Sequence, residues 1–198
     1  MTTIAIIPAR GGSRRIPRKN IRDFEGKPII AYSIETALQA KVFSKVYVTT
    51  EDDEIAAVAK QYGAEPIKRR PGLADDQTGT QRVVQATLMD LGYGQRQFDK
   101  ACCIYATSPL MRVIDLLEGK HHLTPDVDYA FSVSIEPLAD AGQFYWGWTG
   151  SFMAAKPLVS PMSRMIPIPP EHCCDINTEA DWQWALGQYR KNRKVRRK

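Results

Sequence analysis

Between Arg10 and Lys19 the chain places five cations, Arg10, Arg14, Arg15, Arg18 and Lys19, around the run Gly11-Gly12-Ser13. Like charges crowded into ten residues repel one another unless a polyanion neutralises them, and glycines let backbone N–H groups close on an anion. Arginine grips phosphate oxygens bidentately and lysine adds a point charge. These residue types suit a triphosphate. The lysine is not placed as in a P-loop, and the paired glycines are not a dinucleotide fingerprint. A solvated basic turn is the alternative, but such turns seldom follow a buried strand at once.

A buried strand is what precedes the loop. Ile4-Ala5-Ile6-Ile7 is an apolar run ending at Pro8, and in an open α/β sheet the loop after a strand's carboxyl end is where ligands bind. Strands are expected at 46–48, 65–67, 101–105 and 129–133, alternating with helices at 28–40, 52–61, 78–91 and 113–122. Further short strands are expected at 143–146, 152–154 and 164–168. A last helix, 178–190, opens with a capping box of Thr178 and Asp181. The alternation predicts an α/β sandwich with a mainly parallel mixed sheet, built as one domain over residues 1–189.

Composition narrows the function classes. The 198 residues carry a formal charge of +5, but seven of the last nine are basic, which leaves 20 basic against 22 acidic residues in the body. Residues 190–198 therefore read as a self-repelling, disordered tail, and nucleic-acid binding, which wants basic residues on a folded face with aromatics or a recognisable module, is disfavoured. No apolar run is long enough to span a membrane, and no leader precedes the first strand, so a cytoplasmic protein is expected. The cysteines form adjacent pairs, Cys102-Cys103 and Cys173-Cys174, a spacing that suits neither zinc ligation nor anything but structural thiols. On a strand, one thiol of each pair is expected to be buried.

The run Pro8-Ala9-Arg10-Gly11-Gly12-Ser13-Arg14-Arg15-Ile16-Pro17-Arg18-Lys19-Asn20 resembles the N-terminal motif of N-acylneuraminate cytidylyltransferases. Asp140-Ala141-Gly142-Gln143-Phe144-Tyr145-Trp146-Gly147 is similar to the hallmark of that family's pseudaminic acid branch. Arg70-Pro71, Asp76-Gln77-Thr78-Gly79-Thr80, Thr107-Ser108-Pro109-Leu110 and Asp175-Ile176-Asn177-Thr178-Glu179-Ala180-Asp181-Trp182 also match. The resemblance implies a three-layer Rossmann-like nucleotidyltransferase sandwich. It implies an enzyme that couples CTP to the anomeric hydroxyl of a nonulosonic acid, with pseudaminic acid favoured. The products are a CMP-sugar, used in flagellin glycosylation, and pyrophosphate. N-acylneuraminate or legionaminate cytidylyltransferase is the closest alternative; a non-catalytic CTP-binding regulatory protein is the alternative of another class.

The resemblance also implies roles. Ala9, Arg10, Gly11, Gly12, Ser13, Lys19 and Asn20 contact CTP, with Arg10 and Lys19 stabilising charge on departing pyrophosphate. Arg15 and Arg18 either assist or lie on the surface. Arg70 and Thr78 line the cytidine pocket; a helix N-cap is the alternative for Thr78, and the two roles are compatible. Tyr105, Thr107, Ser108, Arg112, Gln143 and Tyr145 face the sugar, Arg112 meeting its carboxylate. Asp140 is a sugar ligand or a turn residue. Asp175 binds Mg²⁺ together with Asn177, which stands where relatives often have a second aspartate. No motif ties His121, His122 or His172 to the site as a general base.

Two further departures stand out. The sialic branch commonly has glutamine where Tyr105 stands, which favours a differently decorated sugar. Residues 136–139 bridge a point where relatives carry a long arm used in homodimers, so a homodimer is expected with that arm shortened.

Overall fold

The computed structural model describes residues 1–74, 78–95 and 98–195. In chain order these form β1 (Thr3–Pro8), β2 (Asp23–Phe24), β3 (Lys27–Pro28), α1 (Ile29–Gln39), β4 (Lys45–Thr50), α2 (Asp53–Gln61) and β5 (Glu65–Lys68). There follow α3 (Thr80–Asp90), β6 (Lys100–Ile104), α4 (Val113–His121), β7 (Tyr129–Ile135), β8 (Leu138–Trp148), α5 (Thr149–Met153), β9 (Ser163–Ile168) and α6 (Glu179–Val195).

Among the described residues, seven strands make one sheet in the order β5-β4-β1-β6-β8-β7-β9. All neighbours are parallel except β8, which runs antiparallel between β6 and β7. Both faces are covered, which is why the strands are apolar at nearly every position. Ala5, Ile7, Val46, Val48 and Cys102 face α1, α2 and α4, while Ile4, Ile6, Tyr47 and Cys103 face α3 and α5. This is the expected three-layer arrangement. It also buries both thiols of Cys102-Cys103, one on each face, where the one-sided reading of a strand allows only one.

Three other expectations are corrected. Residues 152 and 153 are helical, closing α5, because Phe152 seats its ring edge-on to Tyr129 at 5.1 Å and a short apolar run fits a helix as well as a strand. The helix after residue 78 begins at Thr80, with Gly79 at the N-cap. The basic tail does not unravel at residue 190: α6 runs on through Val195. Arg190 donates to Glu25 at 2.7 Å and the Asn192 amide donates to the Glu171 carbonyl at 2.9 Å, contacts that offset the repulsion. Cations in a last helical turn also complement the helix dipole.

The capping box of α6 is formed, with Thr178 N–H donating to Asp181 at 2.7 Å and Asp181 N–H to the Thr178 hydroxyl at 3.3 Å. α6 packs Trp182 and Ala185 against Phe24, Ile29 and Ile176, fixing the segment that precedes it.

Candidate active site

The carboxyl ends of β1, β5 and β6 open into a cleft of about 520 Å³. Its wall holds Arg10, Arg14, Arg15, Lys19 and Arg69, and no lining residue among those described is acidic. A cleft walled by one sign of charge concentrates the opposite sign.

The glycine-rich loop is locked beneath this wall. Gly11 N–H donates to Glu51 Oε1 at 2.7 Å, Ala9 N–H to the Thr49 carbonyl at 3.0 Å, and the buried Asn20 amide to the Arg10 carbonyl at 2.9 Å. A Cβ on Gly11 would fall 2.3 Å from Asp52 Oδ2, whereas one on Gly12 would meet nothing within 4 Å. Gly11 is required by close approach, Gly12 by none. Ser13 lines the cleft.

Arg18 is turned away. It adopts a left-handed backbone (φ 54°) and pairs with Asp52 and Glu54 at the start of α2, so it fastens the loop. Arg15 faces the cleft and donates to Asn177 Oδ1 at 2.9 Å. Lys19 donates to the Ile176 carbonyl at 2.7 Å. Burial pulls the Lys19 ammonium below the usual lysine range, Asp175 opposing and Arg15 and Arg10 adding to the shift.

The base side differs from expectation. Arg70 is exposed, bound to Asp90 with Nε at 3.0 Å, and lines a separate hollow beside α3. The cleft receives its neighbour Arg69, which is 5% exposed. Arg69 N–H extends the β4–β5 ladder to the Thr50 carbonyl at 2.8 Å, so side chains 69 and 70 alternate across the extended chain. Two adjacent arginines after a strand signal only that one turns inward, and the buried one is Arg69. Its Nη2 donates to the Thr49 carbonyl at 2.7 Å, and its Nε has no hydrogen-bond partner among the described residues. Burial lowers its pKa, Glu51 opposing. Thr78 does line the cleft, beside Leu73, Thr80 and Val83, to which the sequence assigns no site role: Leu73 and Val83 are apolar, and Thr80 sits in the matching motif with no assigned contact. Asp76 and Gln77 lie outside the described residues.

Of the residues expected to face the sugar, Tyr105 and Thr107 line the cleft, with the Tyr105 hydroxyl 3.3 Å from Thr80 Oγ1. Burial raises the Tyr105 phenol far above its ordinary range. Tyr145 lies against Tyr105 at 5.8 Å between ring centroids and donates to Asp140, whose other oxygen accepts Gly142 N–H at 2.8 Å. Ser108, Gln143 and Arg112 are not brought to the cleft. Ser108 is buried and donates to the Gly142 carbonyl at 3.2 Å; Gln143 is buried and donates to the His172 carbonyl at 2.5 Å. Arg112 is held by Asp115 at 2.6 and 2.9 Å at the start of α4, where Asp115 also accepts the Arg112 backbone N–H at 3.2 Å, so a local partner takes the guanidinium.

Asp175 is exposed beside the cleft, and a Cβ on Gly142 would fall 3.0 Å from its carboxyl. The Asn177 amide donates to Asp175 through nitrogen while its oxygen takes Arg15. The Asp175 carboxylate is a hard donor, which fits a divalent cation held mainly by phosphates and water, while the Asn177 oxygen is engaged by Arg15.

The chain is similar to known proteins over most of its length. A cytidylyltransferase family model matches residues 4–137. The pseudaminic acid cytidylyltransferase of Campylobacter jejuni is 32% identical, over 97% of this chain and 98% of its own length. The CMP-N,N'-diacetyllegionaminic acid synthase of Legionella pneumophila is 41% identical over 57% of this chain and 49% of its own. A structure of CMP:2-keto-3-deoxy-manno-octonic acid synthetase complexed with CTP shares the fold, with a TM-score of 0.75 over 97% of this chain and all of that one, at 17% identity. The chain belongs to the cytidylyltransferase family, alongside the enzymes that activate nonulosonic acids.

Proposed function

We propose that the protein transfers the cytidylyl group of CTP to the anomeric hydroxyl of a nonulosonic acid, releasing pyrophosphate, and that pseudaminic acid is the sugar. The observation that carries the reading is a cleft whose lining, among the described residues, holds five cations and no acid, in a chain matching a pseudaminic acid cytidylyltransferase over nearly its whole length. Arg10 and Lys19 neutralise the phosphates and the charge moving to pyrophosphate as the sugar oxygen displaces it in line at the α-phosphorus. Ser13, Asn20 and the backbone of Ala9, Gly11 and Gly12 hold the loop against the nucleotide. Arg69 and Thr78 meet the cytidine from the cleft wall. Tyr105 and Thr107 meet the sugar, with Tyr145 and Asp140 behind Tyr105. Asp175 is the residue that would hold Mg²⁺, with Asn177 beside it; such an ion, when bound, draws charge from the phosphate oxygens.

CTP supply makes the cytoplasm the site of action, and the CMP-sugar suits a glycosyltransferase such as one acting on flagellin. A second copy of the chain is the protein partner; Ile135 and Leu138 at the β7–β8 turn and Met165 on the edge strand β9, all exposed, support that. The test is pyrophosphate release with CTP or UTP against a panel of nonulosonic acids. Release with CTP and pseudaminic acid is expected. CTP binding without release points to a regulatory protein, and equal use of UTP overturns the cytidine assignment.

A further inference from the structure

The segment that delivers Asp175 is extended from Cys173 to Asn177, with no secondary structure to hold it. Downstream it is pinned by the fully buried Ile176, whose carbonyl accepts Lys19. Upstream it leaves a one-turn helix, Pro170–His172, and two side chains from distant elements grip that turn. Gln143 of β8, 1% exposed, donates to the His172 carbonyl at 2.5 Å. Asn192 of α6 donates to the Glu171 carbonyl at 2.9 Å, and its nitrogen also lies 3.3 Å from His172 Nδ1.

We propose that Gln143 and Asn192 are positioning residues: they clamp residues 171–172 and thereby set where Asp175 stands against the nucleotide phosphates. The proposal rests on the reading of Asp175 as the metal-holding residue. It gives the hallmark glutamine a role other than touching sugar, and it makes the basic end of α6 part of the active-site scaffold. Three features support it. Gln143 is fixed at its own backbone, its carbonyl accepting Tyr105 N–H at 2.9 Å, so one residue ties the Tyr105 wall to the Asp175 segment. For Asn192 to donate to Nδ1, His172 must be neutral, and burial together with nearby Arg112 lowers its pKa. Finally, α6 is anchored by Trp182 and Ala185 in the core and by Arg190 on Glu25, so Asn192 projects from a firm base.

The test uses the full chain with Asn192→Ala and Asn192→Asp, both lacking the donor, and Lys191→Ala as an exposed control on the same helix. Mn²⁺ binding is read by electron paramagnetic resonance with a non-hydrolysable CTP analogue. Metal-free CTP affinity is read by calorimetry and folding by thermal melting. Residues that orient a metal ligand typically change metal affinity about tenfold or more when lost. Both Asn192 variants are expected to weaken Mn²⁺ binding roughly tenfold and to lower kcat at fixed metal. Metal-free CTP affinity and melting should stay near wild type. Unchanged Mn²⁺ affinity, or a loss matched by equal losses in metal-free CTP affinity and melting temperature, overturns the clamp. Asp175→Ala in the same assay separates the two readings. If it binds Mn²⁺ as wild type does, the metal assignment falls and the clamp's purpose with it; if it alone loses Mn²⁺, only the clamp falls.

Discussion

Arg69 and Glu51 face each other beneath the nucleotide cleft with Nη1 and Oε2 3.9 Å apart, too far for a hydrogen bond, and Glu51 Oε2 is buried with no other partner among the described residues. A buried guanidinium so loosely paired retains hydrogen-bonding capacity for a ligand. Removing it also strands Glu51, which makes such truncations costly.

Arg69→Ala should therefore raise the KM for CTP at least about tenfold, the scale of one charged hydrogen bond. Arg70→Ala should stay within about twofold, because its pair with Asp90 is at the surface. Steady-state kinetics on both variants decide the assignment. A large effect from Arg70 with none from Arg69 would reverse it.

Gly11→Ala and Gly12→Ala should differ sharply. At Gly11 the added methyl displaces Asp52, which caps α2 by accepting Glu54 and Ile55 N–H at 3.0 Å and also binds Arg18. The expected loss is about 1–3 kcal/mol of stability, with weakened CTP binding. Gly12→Ala should melt as wild type does. Urea denaturation and CTP calorimetry on the pair test this, and equal behaviour would count against a rigidly docked loop.

Asp175→Ala should cut turnover about a hundredfold while CTP affinity falls much less, since Arg10, Lys19 and the loop still grip the phosphates. Asn177→Asp should be tolerated, because Arg15 at 2.9 Å offsets the new charge. Turnover across a magnesium titration reads both. Unaltered magnesium dependence in Asp175→Ala would move the metal elsewhere.

Lys19 sets an alkaline limit. Burial lowers its folded pKa, so the ammonium that meets phosphate is lost at a lower pH than for an exposed lysine. CTP affinity should fall as pH rises through that lowered value, and Lys19→Arg should flatten the decline because arginine stays charged. Stability moves the opposite way. The unfolded chain holds the proton longer, so the penalty for burying the charge is full below the folded pKa. It fades as pH climbs from there toward the ordinary lysine value. CTP binding and urea unfolding measured across alkaline pH should show these opposed slopes.

Much of the sheet was legible in the sequence because each parallel strand is an unbroken apolar run such as Ile4–Ile7, and because Gly11 and Lys19 sit in a dense, unusual loop. What stayed hidden depended on pairings across long sequence separations. Nothing local distinguishes Arg69 from Arg70, since strand alternation decides which is buried. Arg112 has the right chemistry for a carboxylate, but Asp115, three residues on, satisfies it first. The charge of residues 190–195 argues for disorder until Glu25 and Glu171 arrive from elsewhere in the chain.

The antiparallel β8 has a consequence for how this fold can be elaborated. β7 ends at the same edge of the sheet as β1 and β6, so the turn between Ile135 and Leu138 lies on the rim that holds the cleft. Only Glu136 and Pro137 separate that last paired rung. Chain added there would leave every strand register intact and would project over the sugar end of the cleft as a canopy. Closing a loop of several tens of residues costs only a few kcal/mol more than closing a short one. The C. jejuni relative aligns over 232 positions against 198 residues here, so it has chain that this protein lacks. With a two-residue turn at this point, the β7–β8 rim of the cleft carries no canopy, and on the proposed reading large decorations on the acceptor extend past that rim into solvent.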